Sequence, residues 1–400
     1  MGDRLRILLL YETLYPATIG GIEQRNAELA ASLAGLGHRV TLAGLGRATG
    51  PPGVNVVSLG EVGAIYSANG RRSLSHTLRF VRSLRDLELD DFDIVETANQ
   101  FYLHLFPLAR ACRRARVPLV VTWYEHWGPY WQRYSGFAAG ALGRLVEARA
   151  AHRGDAVAAT CELTARRLRS RRSRVTVLPC GLDLPRITRT VPSTPVDLVF
   201  AGRLVPHKRV DLLLHAVARL AAPLDTTRLA IFGEGSERLR LQALANDLGL
   251  GDRVSFRGFV PTSEALWSAL SSARLAVQPS EREGFGLFPL EALALGVPTV
   301  YCRSSESAVA EVVRDGIEGL ACDPEPGSLA TAIAELLNDP LRRAALAAAA
   351  RRRSQSYDWP SIAERFVGWC HDVLRAGRSG RGDGENGARA VPEEQPPAGP

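Results

Sequence analysis

Short apolar segments alternate with helical patterns along almost the whole chain, and a proline- and threonine-rich break divides that alternation into two series. Strand patterns read at residues 6–10, 40–43, 54–59, 93–97, 119–123, 156–160 and 175–179, with helical patterns such as 22–36 and 74–87 between them. Alternation of this kind builds a doubly wound parallel sheet with helices on both faces. RITRTVPSTPV (186–196) carries no apolar period and reads as an interdomain linker. Strand patterns then resume at 197–200, 228–233, 254–258, 275–279, 299–301 and 319–322, which predicts a second doubly wound domain. The expected organisation is an N-terminal domain over 1–188, a linker over 189–196, a C-terminal domain over 197–358 and a last helix over 359–375. The tail, 376–400, is Gly, Pro, Glu and Arg with almost nothing to bury and is expected to be disordered.

The most informative stretch in the second series is EREGFGLFPLEALALGVPTV (281–300). Gly284 and Gly286 bracket a helix start, Pro289 is tolerated only in the first turn, and Gly296-Val297-Pro298 is a stop signal. Glu291 is the only charged residue between Gly284 and Tyr301, in a helix apolar enough to be buried on every side. A carboxylate in that setting needs a partner. Glu283 stands just before the helix, where backbone N–H groups and the helix dipole favour an anion such as phosphate. The two glutamates therefore frame an anion site, or Glu291 merely favours a helix start and Glu283 is a loop charge.

The formal charge of +7 first suggests a polyanionic partner, but 48 of the 49 basic residues are arginine and only Lys208 is lysine. Abundant Arg and Ala with almost no Lys reads as the coding bias of a GC-rich bacterium, so the basicity gives no support to nucleic acid and leaves room for only a weak peripheral membrane contact. The same bias singles out Lys208 as a position that wants a compact ammonium rather than a planar fork. Six cysteines show no C-x-x-C and no metal-ligand spacing, and are expected as buried free thiols of a cytoplasmic protein. The apolar run in MGDRLRILLLYE is too short for the core of a signal peptide, so none is expected, and no run reaches the ~18 apolar residues of a membrane span.

Gly20-Gly21 precedes the first helical pattern and lets backbone amides approach an anion, or is an ordinary turn. In the second domain the first strand leads into GRLVPHKR (202–209). Cations there oppose the dipole of the next helix unless an anion lies between them, so Arg203 and Lys208 are poised to clamp a diphosphate. Gly233 and Gly235 of IFGEGSER form a G-x-G turn that carries little information alone. TWYEHWGPYW (122–131) sets five aromatic rings beside Glu125 and His126 directly after a strand, a composition suited to stacking on a sugar. Asp91-Phe92-Asp93 reads as a turn rather than a metal pair, and the arginines of 166–174 read as a solvated helix face rather than a polyanion site.

In order, GRLVPHKR, IFGEGSER, VSFRGFV, EGFGLFPLEALALGVPTV and ESAVAEVVRDGIEGL resemble the retaining glycosyltransferases of the GT-B fold, family four (group 1), over residues 5–375. That group contains bacterial mannosyl-, glucosyl- and N-acetylglucosaminyltransferases. The resemblance implies two Rossmann-like domains facing across a cleft, the last helix crossing back to the first domain. It implies a UDP- or GDP-sugar donor, an acceptor hydroxyl on a sugar, glycolipid or small molecule, and no metal. Arg203 and Lys208 would hold the donor diphosphate, and the backbone of Gly284, Phe285, Gly286 and Leu287 would receive its distal phosphate. Glu283 would contact the sugar, Glu291 the ribose hydroxyls, and the loop at Val260 the base, with Gly233 nearby. Gly20 and Gly21 would lie against the phosphates, and residues 122–131 would border the acceptor. Family members often carry His where this chain has Tyr124, which makes His126 the candidate for that sugar contact. The competing readings are a nucleotide-sugar 2-epimerase and a non-catalytic nucleotide-sugar binder.

Overall fold

A computed structural model describes residues 4–65, 73–100, 102–260 and 262–382. The first domain carries β1 (Arg6–Thr13), β2 (Arg39–Leu45), β3 (Val54–Ser58), β4 (Ile94–Ala98), β5 (Leu119–Trp123), β6 (Ala156–Ala159) and β7 (Thr176–Val177). They form one sheet in the order β3-β2-β1-β4-β5-β6-β7, every neighbouring pair parallel. The second domain adds β8 (Val196–Ala201), β9 (Leu229–Phe232), β10 (Val254–Gly258) and β11 (Ala273–Gln278). After these come β12 (Arg282–Glu283), β13 (Thr299–Cys302), β14 (Glu306–Ser307) and β15 (Gly319–Cys322). Its sheet runs β10-β9-β8-β11-β13-β15, also parallel throughout. β12 and β14 pair separately as a two-stranded ribbon that the apolar pattern gave no reason to expect.

Both sheets reverse direction of winding at their first strand, between β1 and β4 and between β8 and β11. Ligands of open α/β sheets bind beyond the strand C-termini at such switch points. The two switch points face each other across one cleft. Apolar clusters fill both faces of each sheet. A further cluster joins the domains, packing Cys161, Leu182 and Ile187 against Phe285, Leu290, Val309 and Tyr357.

The chain returns to the first domain at Tyr357, whose carbonyl accepts the Leu182 N–H at 2.7 Å, while the Trp359 N–H donates to the Leu182 carbonyl at 3.1 Å. The last helix, Trp359–Gly382, then buries Trp359, Ile362, Phe366 and Cys370 on Ile7, Leu9, Leu29 and Leu33. This is the crossover the resemblance implies. The helix runs past its expected end at 375 and takes in the start of the segment expected as a tail; residues 383–400 of that tail lie outside the described residues. The second sheet likewise begins at Val196, the last residue assigned to the linker.

All six cysteines are buried free thiols. Among the described residues, no helix is long and apolar enough to cross a membrane. The arginines of 166–174 are not a plain solvated face. Arg167 bonds Glu306 of the other domain at 2.6 Å, Arg169 pairs with Glu162, and Arg172 donates to the carbonyls of Arg153 and Gly154.

Candidate active site

The cleft encloses about 1010 Å³ and is lined from the first domain by Gly20, Gly21, Glu125, Trp127 and Tyr130, and from the second by Arg203, His207, Arg209, Glu281 and Arg282. Gly20 precedes the helix Gly21–Gly35, and Gly286, at φ 98°, precedes the helix Leu287–Leu295. The two helix starts meet: a methyl group built on Gly21 would lie 2.8 Å from Leu287 Cδ1. Two positive dipole ends thus point into the same space, and neither N-cap residue offers a side-chain hydrogen bond. Phe285 turns its ring inward against Tyr357, which leaves its backbone as the part available at the turn.

Arg203 leaves β8 through Gly202. The glycine turn at 233–235 fits against that exit, since a methyl on Gly233 would sit 2.0 Å from the Gly202 carbonyl oxygen, and one on Gly235 would sit 2.2 Å from that of Leu204. Gly233 therefore serves close backbone packing that places Arg203. Most arginines of the cleft are matched to a carboxylate: Arg133 to Glu281, Arg209 to Asp211, Arg240 to Glu237, Arg282 to Glu125 and Glu306. Among the described residues Arg203 has no such partner, and it is exposed. Burial first, and then the charges of Lys208, Arg203 and Arg282, push the His207 imidazole down to about 3, so it stays neutral in the positive end of the cleft.

Lys208 is bonded to Glu283 Oε2, and the Gln278 amide donates to the same oxygen at 2.7 Å. The structure therefore brings together Lys208, Glu283 and the Gly284–Leu287 turn that follows it, while Arg203 lines the cleft beside Gly202, whose added methyl would lie 3.9 Å from Lys208 Cε. Glu291 lies one turn into that helix and accepts the Trp267 indole N–H at 2.9 Å. The partner its burial demands is thus supplied in part by the protein, from the helix Ser263–Ser271. Burial raises its carboxyl to about 7, with the Trp267 hydrogen bond opposing the shift. Val260 packs, partly buried, against the second-domain cluster that includes Phe232, Leu270 and Phe288.

His126 is not brought to the cleft. Its ring is buried, stacks on Trp123 with centroids 6.1 Å apart and faces Glu147 at 3.7 Å. Burial lowers its pKa, Glu147 opposes that, and neighbouring arginines reinforce it. The loop bends at Gly128, φ 50°, and turns Glu125, Trp127 and Tyr130 toward the cleft instead. The residue that sequence reasoning missed is Arg282. It is 4% exposed and crosses between domains, donating to Glu125 at 3.0 Å, to the His126 carbonyl at 3.2 Å and to Glu306 at 2.8 Å.

A family model described as "Glycosyltransferase Family 4" matches residues 19–186, and one described as "Glycosyl transferases group 1" matches 187–353. The chain belongs to the group 1 glycosyltransferases. Relatives of this glycosyltransferase include a glycogen synthase of Mycobacterium tuberculosis, 29% identical over 397 residues that cover 90% of this chain and 92% of that one. A D-inositol 3-phosphate glycosyltransferase of Geodermatophilus obscurus is 36% identical over 214 residues, 48% of this chain and 46% of the relative, so that match spans about half of the relative's length. The glycosyltransferase superimposes on sucrose-phosphate synthase from Thermosynechococcus elongatus with a TM-score of 0.77 at 21% identity, covering 93% of this chain and 100% of that one. It superimposes on an Anabaena protein, HepE, solved with UDP-glucose, with a TM-score of 0.71 at 19% identity, covering 93% and 100%. These likenesses establish the GT-B architecture.

Proposed function

We propose that this enzyme moves a hexose from a UDP- or GDP-sugar to an acceptor hydroxyl, with retention at the anomeric carbon and without a metal. The observation that carries the reading is the unmatched Arg203, which lines the same cleft as Gly20 and Gly21 at the junction of two helix N-termini, with Lys208 Cε 3.9 Å from a methyl built on the adjoining Gly202. A diphosphate supplies the charge that this arrangement lacks. Breaking the anomeric bond leaves added negative charge on that diphosphate, and donors already aimed at it lower the barrier. Glu283, held by Lys208 and Gln278, is oriented to meet the sugar hydroxyls, and Glu291 to accept from the ribose. The solved Anabaena relative with UDP-glucose supports a nucleotide-sugar donor.

The test is a thermal-shift screen of UDP-, GDP-, ADP- and dTDP-sugars, followed by turnover of the best donor and NMR of the product's anomeric centre. Stabilisation by one donor class and an axial-to-axial outcome support the reading. Conversion of one nucleotide sugar into another without acceptor would replace transfer by epimerisation, and binding without turnover would reduce the protein to a binder.

A further inference from the structure

Four carboxylates line the cleft, and one of them is held in a way that leaves an oxygen facing the donor turn. Glu281 is taken by Arg133, Asp211 by Arg209, and Glu23 accepts the Thr13 hydroxyl at 2.7 Å. Glu125 differs. Its Oε2 receives the Trp127 indole N–H at 2.8 Å and the Arg282 Nε–H at 3.0 Å, and among the described residues no donor reaches its Oε1. A methyl group on Gly284 would lie 2.9 Å from that Oε1, so the free oxygen sits on the turn directly after Glu283. It approaches from the opposite domain, on the wall that carries Trp127 and Tyr130.

The carboxylate cannot easily turn away. Arg282 is fixed by Glu306 and the His126 carbonyl, and its guanidinium lies 4.6 Å from the centre of the Tyr130 ring. A group held this way has already lost its rotamer freedom before substrate arrives, which is the condition for orienting a reactant at little further cost.

We propose that Glu125 Oε1 accepts the hydrogen bond of the acceptor hydroxyl that attacks the donor sugar, and that Arg282 is the positioning residue that fixes it there. The inference rests on the transfer reaction proposed above. In that step the acceptor oxygen bonds to the anomeric carbon as the carbon–oxygen bond to the diphosphate breaks, its electron pair leaving on the diphosphate. The single proton of that hydroxyl, which Glu125 Oε1 holds by hydrogen bond while the acceptor is oriented, swings to the leaving phosphate oxygen and bonds there as the new bond forms. Glu125 is a carboxylate before and after, and the ligand it selects is a hydroxyl presented by a ring that stacks on Trp127 and Tyr130.

Hydrolysis of UDP-glucose and GDP-mannose, with water in the acceptor's place, tests this whatever the acceptor is. Wild type, Glu125→Gln, Glu125→Asp, Arg282→Gln and the double variant Glu125→Gln/Arg282→Gln are compared for hydrolysis and, by calorimetry, for UDP and GDP affinity. The expected result is a hydrolysis kcat lowered on the order of tenfold to a hundredfold in Glu125→Gln, partial recovery in Glu125→Asp, and nucleotide affinity within about twofold of wild type. The double variant should lose no more than Glu125→Gln alone, because Arg282 acts through Glu125. Wild-type hydrolysis in Glu125→Gln, or a parallel fall in nucleotide affinity, would overturn the assignment. If Lys208→Ala loses turnover while Glu125→Gln keeps it, this inference fails and the donor site stands; a wild type that binds neither nucleotide overturns both.

Discussion

Lys208, at the end of the 3-10 turn Pro206–Lys208, and Glu283, at the end of β12, hold each other: the ammonium of the chain's only lysine is bonded to Oε2 of Glu283, which also accepts the Gln278 amide at 2.7 Å. The pair is partly buried, with side chains 13% and 16% exposed. One ammonium proton satisfies the carboxylate and the others remain for a phosphate oxygen, so the lysine links the groups proposed to touch the sugar and the diphosphate.

Lys208→Ala should therefore lower kcat by about 10² to 10³ while the fold persists. Lys208→Arg should lose activity on a similar scale, because a planar fork does not fit between Glu283 and an anion as a compact ammonium does. Steady-state turnover of the donor found by thermal shift, with circular dichroism as the control for folding, checks both. An arginine variant as active as wild type would make the lone lysine an accident of composition.

Glu291 gives a pH dependence of definite sign. Its folded pKa, about 7, lies above the ordinary value of 4.5, so protonation favours the folded protein. That contribution is complete below about pH 4.5 and is lost as pH rises through about 7. The displacement from 4.5 to about 7 corresponds to about 3 kcal/mol, so Glu291→Gln should gain up to that much on wild type between those two pH values in urea titrations. Nucleotide binding should run the other way. Ribose hydroxyls donate best to the ionised carboxylate, so UDP or GDP affinity should rise as pH passes through about 7 in wild type and stay flat in the glutamine variant, as read by calorimetry.

The sheets were legible because strands of a parallel sheet are buried on both faces and read as continuous apolar runs. Lys208, the lysine of the proposed diphosphate clamp, was singled out in the sequence because it stands against an arginine background. Arg282 had no such mark: one arginine among 48, in a strand too short to show a period, carries no signal until its bonds to Glu125 and Glu306 are seen. Two-residue strands such as β12 and β14 are too short to show a period. His126 has the right chemistry in the right segment, but a side chain's direction depends on the path of its loop, and Trp123, Glu147 and Gly128 together turn the ring away. Glu291 asked for a partner that sequence could not name, since Trp267 comes from another helix.

The last helix should behave as part of the first domain. Phe366 is 1% exposed among Leu5, Leu9 and Leu33, and Phe366→Ala should cost about 3 to 5 kcal/mol. Denaturant unfolding followed by the tryptophans of the first domain should shift to lower midpoint. An unchanged midpoint would mean that the helix is not docked in solution.

Gly233 offers a test of how the proposed clamp is placed. Its φ is +129°, and a methyl there would stand 2.0 Å from the Gly202 carbonyl oxygen and 2.9 Å from its carbon, both backbone atoms. Gly233→Ala must therefore move the exit of β8 and displace Arg203, at a cost of about 1–3 kcal/mol in strain alone. The expected result is weaker UDP or GDP binding together with a lowered Tm. Gly249→Ala is the matched control: its φ is also positive, +68°, but nothing lies within 4 Å of the new methyl. It should lower Tm by a smaller amount and leave nucleotide affinity at the wild-type value. Equal affinity in the two variants would show that the glycine turn contributes to stability without placing Arg203.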